Sequence, residues 1–562
     1  MNVFSALKLY ITKMTEESGP GMKVLLMDKQ TTSIVSNVYS KSEILQKEVY
    51  LFERIDSGAQ PEGLRHLKCI VFLRPTAENI SLLCRELRCP KYGVYYIYFS
   101  NIIAKADIKT LAESDEQEVV REVHEFYADY LALNPHLFSL GINICVQDLR
   151  WIPTHLQRTA QGIISVLLSL RKCPFIRYQG GSDMSKILAE KIRETFSKES
   201  NLFDFRQELN PLLLIVDRRD DPVTPLLNQW TYQAMVHELL TINNNRVDLS
   251  HVNGISKELA EVVLSAEHDE FYAQNLYLNF GEIGQMIKTL MDDFQKKSKK
   301  NQKLESIADI KNFVEMYPQF KKISGTVSKH VTVVGELSSL VGKHNLLEVS
   351  ELEQELSCQS EHSTQLQKIK KLINDSRVRD VDATRLVMLY ALHYEKHSNN
   401  DITGLLDMLK KKGVPATYTK LVYSILEYSG VHARQSNLFN HEGVSKITKK
   451  LFMGLSGVDN IYTQHKPLLV ETLDDLLKGR LSTQTFPYLG NMVMSKRPQE
   501  IIVFIVGGAT YEESLAVNNL NKQNPGTKII LGGTTIHNFQ TFTEEIQSAT
   551  NSITRRYRSR NN

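Results

Sequence analysis

Three aspartates and two arginines, Asp217, Arg218, Arg219, Asp220 and Asp221, follow directly on the apolar run Leu212 to Val216. Carboxylates at the end of a buried strand stand where open α/β sheets place their ligands, and such a set could hold magnesium or carry a phosphoryl group. The haloacid-dehalogenase pattern, however, needs a second Asp two residues after the first and a Thr two further on. Arg219 and Asp221 occupy those places. With two guanidinium groups among the acids, ion pairing inside a packed loop explains the same residues without catalysis.

A second candidate is Val506-Gly507-Gly508-Ala509-Thr510, which ends a strand and opens a helix as phosphate-binding loops do. It lacks the P-loop lysine and the GxGxxG spacing, and Gly532-Gly533-Thr534-Thr535 repeats the weakness. Turns needing positive φ or close packing account for both. No acid, base and phosphate ligand fall into the spacing of a known mechanism, so no catalytic residue, metal site or cofactor is assigned. The competing reading is an α/β hydrolase or nucleotide-binding enzyme using Asp217 and Asp221.

The elements that position these groups are legible from periodicity. Leu212 to Val216 reads as a strand covered on both faces, and Thr224-Pro225 as a helix start, the hydroxyl accepting an orphan N–H and the helix running from Leu226 to about Leu240. Lys23 to Met27, Val49 to Phe52, Cys69 to Leu73 and Val94 to Phe99 alternate with helical patterns, which gives a parallel sheet with helices on both faces. A second unit of this kind opens near Leu140, and the chain then reads as helical to about Gly479. Strands return at Ile501 to Val506 and Lys528 to Leu531, short, β-branched and in need of a sheet to join. The fold class is therefore α/β: residues 1–137 form one domain, 138–230 with 480–562 a discontinuous second, and 231–479 a mainly helical insertion.

Composition excludes more than it names. At 562 residues, 42% hydrophobic and 23% charged, the chain is ordinary globular protein with room for several cores. A formal net charge of +3 is too small to indicate a nucleic acid as partner. The six cysteines include no CxxC pair and read as reduced thiols of a cytoplasmic protein. The pattern Val3, Leu7, Tyr10, Ile11 and Met14, with Lys8 and Lys13, reads as an amphipathic helix and not a signal peptide. No window approaches the ~20 apolar residues that span a bilayer, so membrane association is expected through a partner.

The stretch Pro211 to Leu240 resembles the signature of the SM (Sec/Munc-like) family, regulators that bind syntaxins and assist SNARE assembly. The matching residues are Asp217, Arg218, Asp221, Thr224, Pro225, Leu226, Trp230 to Ala234 and His237 to Leu240. GPGMKVLLMDKQTT from Gly19, EILQKEVYLFERID from Glu43, FYAQNLYLNFGEIG from Phe271 and the run from Lys303 to Leu337 extend the likeness over nearly the whole chain. The resemblance implies an arch-shaped, three-domain, non-enzymatic protein whose partners are a syntaxin-type SNARE and the assembling SNARE bundle. It also implies peripheral attachment to Golgi, trans-Golgi network and endosomal membranes.

Two binding surfaces are expected. Leu304, Ile307, Ile310, Val314 and Tyr317 repeat at helical spacing; Pro318 interrupts, and Val327, Val331, Val334, Leu337 and Val341 resume, so two amphipathic helices would flank a flexible tip. In the SM family such a hairpin, here near 304–341, holds SNARE helices, which assigns Tyr317, Pro318, Val327, Val331 and Val334 to a template. The stretch Glu113 to Leu133 resembles the family's pocket for the syntaxin amino-terminal peptide, with Val119, Phe126 and Leu131 as its apolar lining. The alternative there is a helix packed on its sheet, which suits Val123.

Overall fold

The computed structural model describes residues 1–57, 63–205, 211–301, 307–439, 461–490 and 497–560; for the helical residues 297–301, 307–320 and 552–560 only the backbone is described. Strand β1 (Lys23–Met27) is buried at every position. Its side chains alternate between two apolar clusters, Leu25 and Met27 meeting Ile70, Phe72 and Tyr98 on one face, Val24 and Leu26 meeting Cys69, Val71 and Phe99 on the other. A strand covered on both faces has no polar side, hence its unbroken apolar sequence. With β2 (Val49–Arg54), β3 (Leu64–Leu73), β4 (Tyr92–Phe99) and β5 (Val120–Glu125) it forms a five-stranded sheet ordered β2-β1-β3-β4-β5. All its pairings are parallel.

Strand β5 replaces the helix that was the alternative reading of this stretch. Val119, Val123 and Phe126 lie three and four residues apart, a helical spacing, but pairing with β4 imposes strand geometry on them. Val123 is consequently 40% exposed and not a core residue.

The second sheet is assembled from distant parts of the chain. Beyond β6 (Leu131–Asn134) and β7 (Leu137–Ser139) come a two-residue pair, β8 (Val146–Gln147) and β9 (Arg150–Trp151), then β10 (Phe175–Tyr178) and β11 (Leu212–Asp217). The chain leaves the sheet after β11. Inside the helical region it forms, among the described residues, one small antiparallel pair, β12 (Arg246–Asp248) with β13 (Glu261–Val263), where the sequence pattern predicts no strand. It returns as β14 (Glu500–Val506) and β15 (Lys528–Gly533), giving the order β10-β11-β14-β15-β7-β6. β11 runs parallel to β14 in register from Leu212↔Ile501 to Asp217↔Val506. Because β6 and β7 close the edge of this sheet, it recruits residues ahead of the expected start at 138.

Among the helices, Asp380–Tyr394 is buried on nearly all sides, from Asp382 through Leu392 without a break. Two others form a projecting pair: Phe280–Asn301 and the long helix Ile307–Lys343, which pack along one another.

Candidate functional site

Each of the three aspartates at the carboxyl end of β11 is spent on a different structural joint. Asp217 accepts from Ser182 Oγ at 2.6 Å and pairs with Arg219 at 2.8 Å, while its N–H donates to Gln179 Oε1 at 2.9 Å. Burial pushes its carboxyl up, but the Arg219 charge and the hydrogen bonds from Arg219 and Ser182 outweigh that and hold it below the ordinary aspartate value. Ser182 is also the N-cap of the helix Asp183–Lys198, so Asp217 ties strand end to helix start. Asp220 accepts from the N–H of Gln435 at 2.7 Å, the N–H of Ser436 at 2.9 Å and Ser436 Oγ at 2.7 Å. Asp221 accepts from Thr224 N and Oγ1, at 3.1 and 2.6 Å, and from Leu468 N at 3.0 Å.

Arg218 completes the hub. It is 1% exposed, donates to Gly508 O and Asp221 O at 3.0 and 2.9 Å and is paired with Glu513, itself held in the capping box of the helix Tyr511–Gln523. Gly507 and Gly508 have φ of +84° and +91°, and a side chain on Gly508 would sit 2.3 Å from His537. The turn thus uses glycine for backbone geometry and close packing. The cavity between Asp217, Arg218, Asp221 and Glu513 has a volume of about 30 Å³, space for a water molecule and not for a substrate. Carboxylates already occupied by hydrogen-bond donors are poor candidates for substrate chemistry, and the hub reads as a fastening between sheet and helical insertion.

The segment that follows departs from the expected long helix. Pro225 sits in a short 3-10 turn, Thr224–Leu226, the chain extends at Leu227, and the α-helix spans only Tyr232–Leu239. Thr224 does not cap it; its hydroxyl donates to Asp221, and Thr231 is the N-cap residue. The interruption lets Asn228 bond Glu353 through both its N–H and Nδ2, at 2.8 and 2.7 Å. It also turns Trp230, 4% exposed, onto Phe280 and Tyr462 with ring centroids 5.8 and 5.0 Å away.

Phe280 is the first residue of the projecting helix pair, and its N–H donates to Trp230 O at 2.9 Å. Two residues on, Tyr232 OH meets His330 Nδ1 of the long helix at 2.8 Å. The signature segment is therefore the seat of both projecting helices.

The long helix runs without a break through Pro318, so the expected pair of helices around a tip at that residue is not formed. An interior proline removes one hydrogen bond at a cost of ~3 kcal/mol, a penalty a helix of this length absorbs. The hairpin's other arm is Phe280–Asn301. The side chains of Tyr317 and Pro318 lie outside the described residues. Val327 and Val334 are buried, the latter with Val333, Leu337 and Val341 against Ile283 and Ile287, and Val331 is half-buried on the same cluster. This apolar stripe belongs to the protein's own core and does not present a free template surface.

The three residues expected to line a peptide pocket are also separated. Val119 packs on the outer cluster of the first sheet. Phe126 is 6% exposed and lies among Tyr10 and Tyr98, with centroids 5.0 and 4.8 Å away. Leu131 belongs to β6 of the other sheet. What the edge strand β5 exposes is Val123, with Glu116 and Glu118 ahead of it.

The buried ionic groups that escaped the sequence reading include two in the helical insertion. Arg385, with no exposed surface, pairs with Glu238 and lies 4.5 Å from the Phe539 ring. Asp269 accepts from His330 Nε2 at 2.9 Å and pairs with Lys329. Burial raises the Asp269 carboxyl, but these two partners outweigh it and leave it below the usual aspartate range. A lone Arg inside the run Val381 to Leu392 was the one available signal.

This architecture has close counterparts. The model of the Sec1 family matches residues 23–545. The chain belongs to the Sec1 family. Vacuolar protein sorting-associated protein 45 of Mus musculus is 64% identical over 548 residues, 97% of this chain and 96% of that protein. The Saccharomyces cerevisiae protein of that name is 36% identical, covering 98% and 100%. Among solved structures, the SM protein Vps45 in complex with the Qa SNARE Tlg2 (1–310) superposes with a TM-score of 0.92 at 45% identity, over 98% of each chain. The Unc18–syntaxin 1 complex from Monosiga brevicollis, at 21% identity, shares the fold with a TM-score of 0.79 over 98% and 99%. In Sec1 family terms, the Asp217–Asp221 hub, the Trp230 seat and the paired helices all lie within the matched span.

Proposed function

We propose that this chain is a non-enzymatic regulator of vesicle docking and fusion that binds a syntaxin-type SNARE and guides assembly of the SNARE bundle. The observation that carries the reading is its likeness, at 45% identity over 98% of the chain, to a protein solved in complex with a Qa SNARE. The geometry agrees: the paired helices stand on a rigid seat built from Trp230, Tyr232 and His330. Ordering disordered SNARE segments costs conformational entropy before contacts repay it. A fixed helical surface that accepts them one by one reduces that cost.

The first domain would grip the syntaxin, and the exposed faces of the long helix would guide the bundle, since its Val327–Val334 stripe is occupied internally. A syntaxin amino-terminal peptide would dock on the outer edge of the first sheet around β5 and Val123. Among the described residues no helix is long and apolar enough to cross a membrane. Attachment to Golgi, trans-Golgi network and endosomal membranes would then run through the SNARE. Titration of the purified chain with the cytosolic fragment of a syntaxin-type SNARE, with and without its amino-terminal peptide, tests this. Saturable binding is expected; absence of binding to every such fragment would end the reading.

A further inference from the structure

Three consecutive residues ahead of the helix Glu270–Asn275 bind three different elements. Glu267 Oε1 receives Lys8 Nζ at 2.9 Å, from the amino-terminal helix Val3–Glu17. His268 Nδ1 lies 3.4 Å from Glu43 Oε2, in the short helix Lys41–Leu45 beside β2, and Glu43 in turn lies 3.5 Å from Lys8. Asp269 caps its own helix through Tyr272 N at 3.0 Å and holds Lys329 and His330 of the long helix. Residues 267–269 therefore bridge the unit of the first sheet to the root of the projecting pair.

The two ends of this bridge differ in strength. At the long helix, Asp269 is 5% exposed, His330 0% and Lys329 18%. His330 is fixed from its other nitrogen by Tyr232 and lies under Phe271 at 4.7 Å. At the first-sheet end, Lys8, Glu43, Glu267 and His268 are 24 to 38% exposed, where solvent and salt weaken ion pairs. Glu43 does not move to suit, because its Oε2 is also held by Ser40 N at 2.9 Å in a capping box.

We infer that Glu267, His268 and Asp269 form a releasable strut that sets the position of the long helix relative to the first domain: welded to the helix by Asp269, and detachable from the domain at Glu267 and His268. These are positioning residues; none is placed on a SNARE-binding surface. The inference rests on the reading that the first domain and the long helix act on one SNARE assembly, since the strut joins the two. Binding that shifts the first domain would then shift the helix, and the converse follows from linkage.

The test measures the strut without any SNARE. Spin labels introduced by amber suppression at Lys109, 78% exposed, and at exposed Lys322 report the distance from the first domain to the long helix by pulsed dipolar spectroscopy. In the unaltered chain the distribution should be narrow at low salt and broaden at high salt. Glu267→Gln with His268→Ala should give the broadened distribution at both, with an unchanged circular dichroism spectrum. Lys8→Met, which removes the cation that Glu267 and Glu43 share, should also give the broadened distribution at low salt. One unchanged distribution in all three proteins at both salts would overturn the strut. SNARE assembly rates on the same proteins separate the two ideas: a displaced helix with an unaltered rate upholds the strut and counts against the guiding role.

Discussion

Arg218 and Glu513, 295 residues apart in sequence, meet through one guanidinium nitrogen that lies 2.7 and 2.5 Å from the two carboxylate oxygens. They stand at the carboxyl end of β11 and the start of the helix after β14, neighbouring strands on either side of the helical insertion. The pair thus closes the second domain across the longest excursion of the chain.

Arg218→Met should cost about 3–5 kcal/mol, because it leaves the buried Glu513 charge, and the carbonyls of Gly508 and Asp221, without their donor. Replacing both partners, Arg218→Met with Glu513→Met, should cost less than the sum of the single changes, since no unpaired charge remains. Urea denaturation of the four proteins checks this. Strict additivity would mean that the pair contributes no coupling.

Trp230→Ala removes a ring that is 4% exposed, and should destabilise by about 3–5 kcal/mol through lost transfer and the cavity left behind. Its contacts with Phe280 add a local consequence. Hydrogen exchange should accelerate over Phe280–Asn301 more than over β1 to β4. Uniform acceleration would show that Trp230 is general core and not the seat of the hairpin.

Acid should act at two buried histidines, His537 in the second domain and His237 where the helical insertion meets it. Burial depresses His237 to about 4 and His537 to about 3 from an ordinary 6.5. Each already has both nitrogens engaged as a neutral ring: His237 Nε2 donates to Ile536 O and Nδ1 accepts from Ile242 N, while His537 Nε2 donates to Gly507 O and Nδ1 meets Thr541 Oγ1. Below pH 6.5 the unfolded chain takes up protons that the folded one refuses. Stability is therefore fully present above that value and falls as pH drops towards 4, by up to about 1.4 kcal/mol per pH unit for each ring. His237→Gln should shallow the slope of urea midpoint against pH between 6.5 and 4; an unchanged slope would show that this ring titrates normally.

What could be read from sequence follows the range of the interaction. The runs Leu212 to Val216 and Ile501 to Val506 announce strands covered on both faces, because burial writes itself into consecutive residues. β5 is hidden: its valines fall at helical spacing, and only the neighbouring β4 makes a strand of them. Pro318 misleads as a local signal: its penalty suggests a boundary, but the surrounding helix absorbs it. The Asp217–Asp221 cluster was legible as charges in a packed loop, yet the identity of each partner was not. Ser182, Ser436 and Glu513 lie far off in the chain, as do Asp269 and His330 from one another. Periodicity carries no information about such pairs.

Gly325 and Gly335 lie inside the long helix, and a methyl group added at either would meet no atom within 4 Å. Each glycine costs the helix about 1 kcal/mol relative to alanine, through the greater backbone freedom it must give up. Gly325→Ala should therefore slow hydrogen exchange along 307–343 several-fold without disturbing Val333 or Leu337 on the packed face. If SNARE segments assemble along the helix as it stands, the stiffer variant should assemble them at the same rate or faster. Slower assembly with slower exchange would mean instead that the helix must bend or part near Gly325 to admit its partner, and Pro318→Ala, which strengthens the same region, should then slow assembly as well.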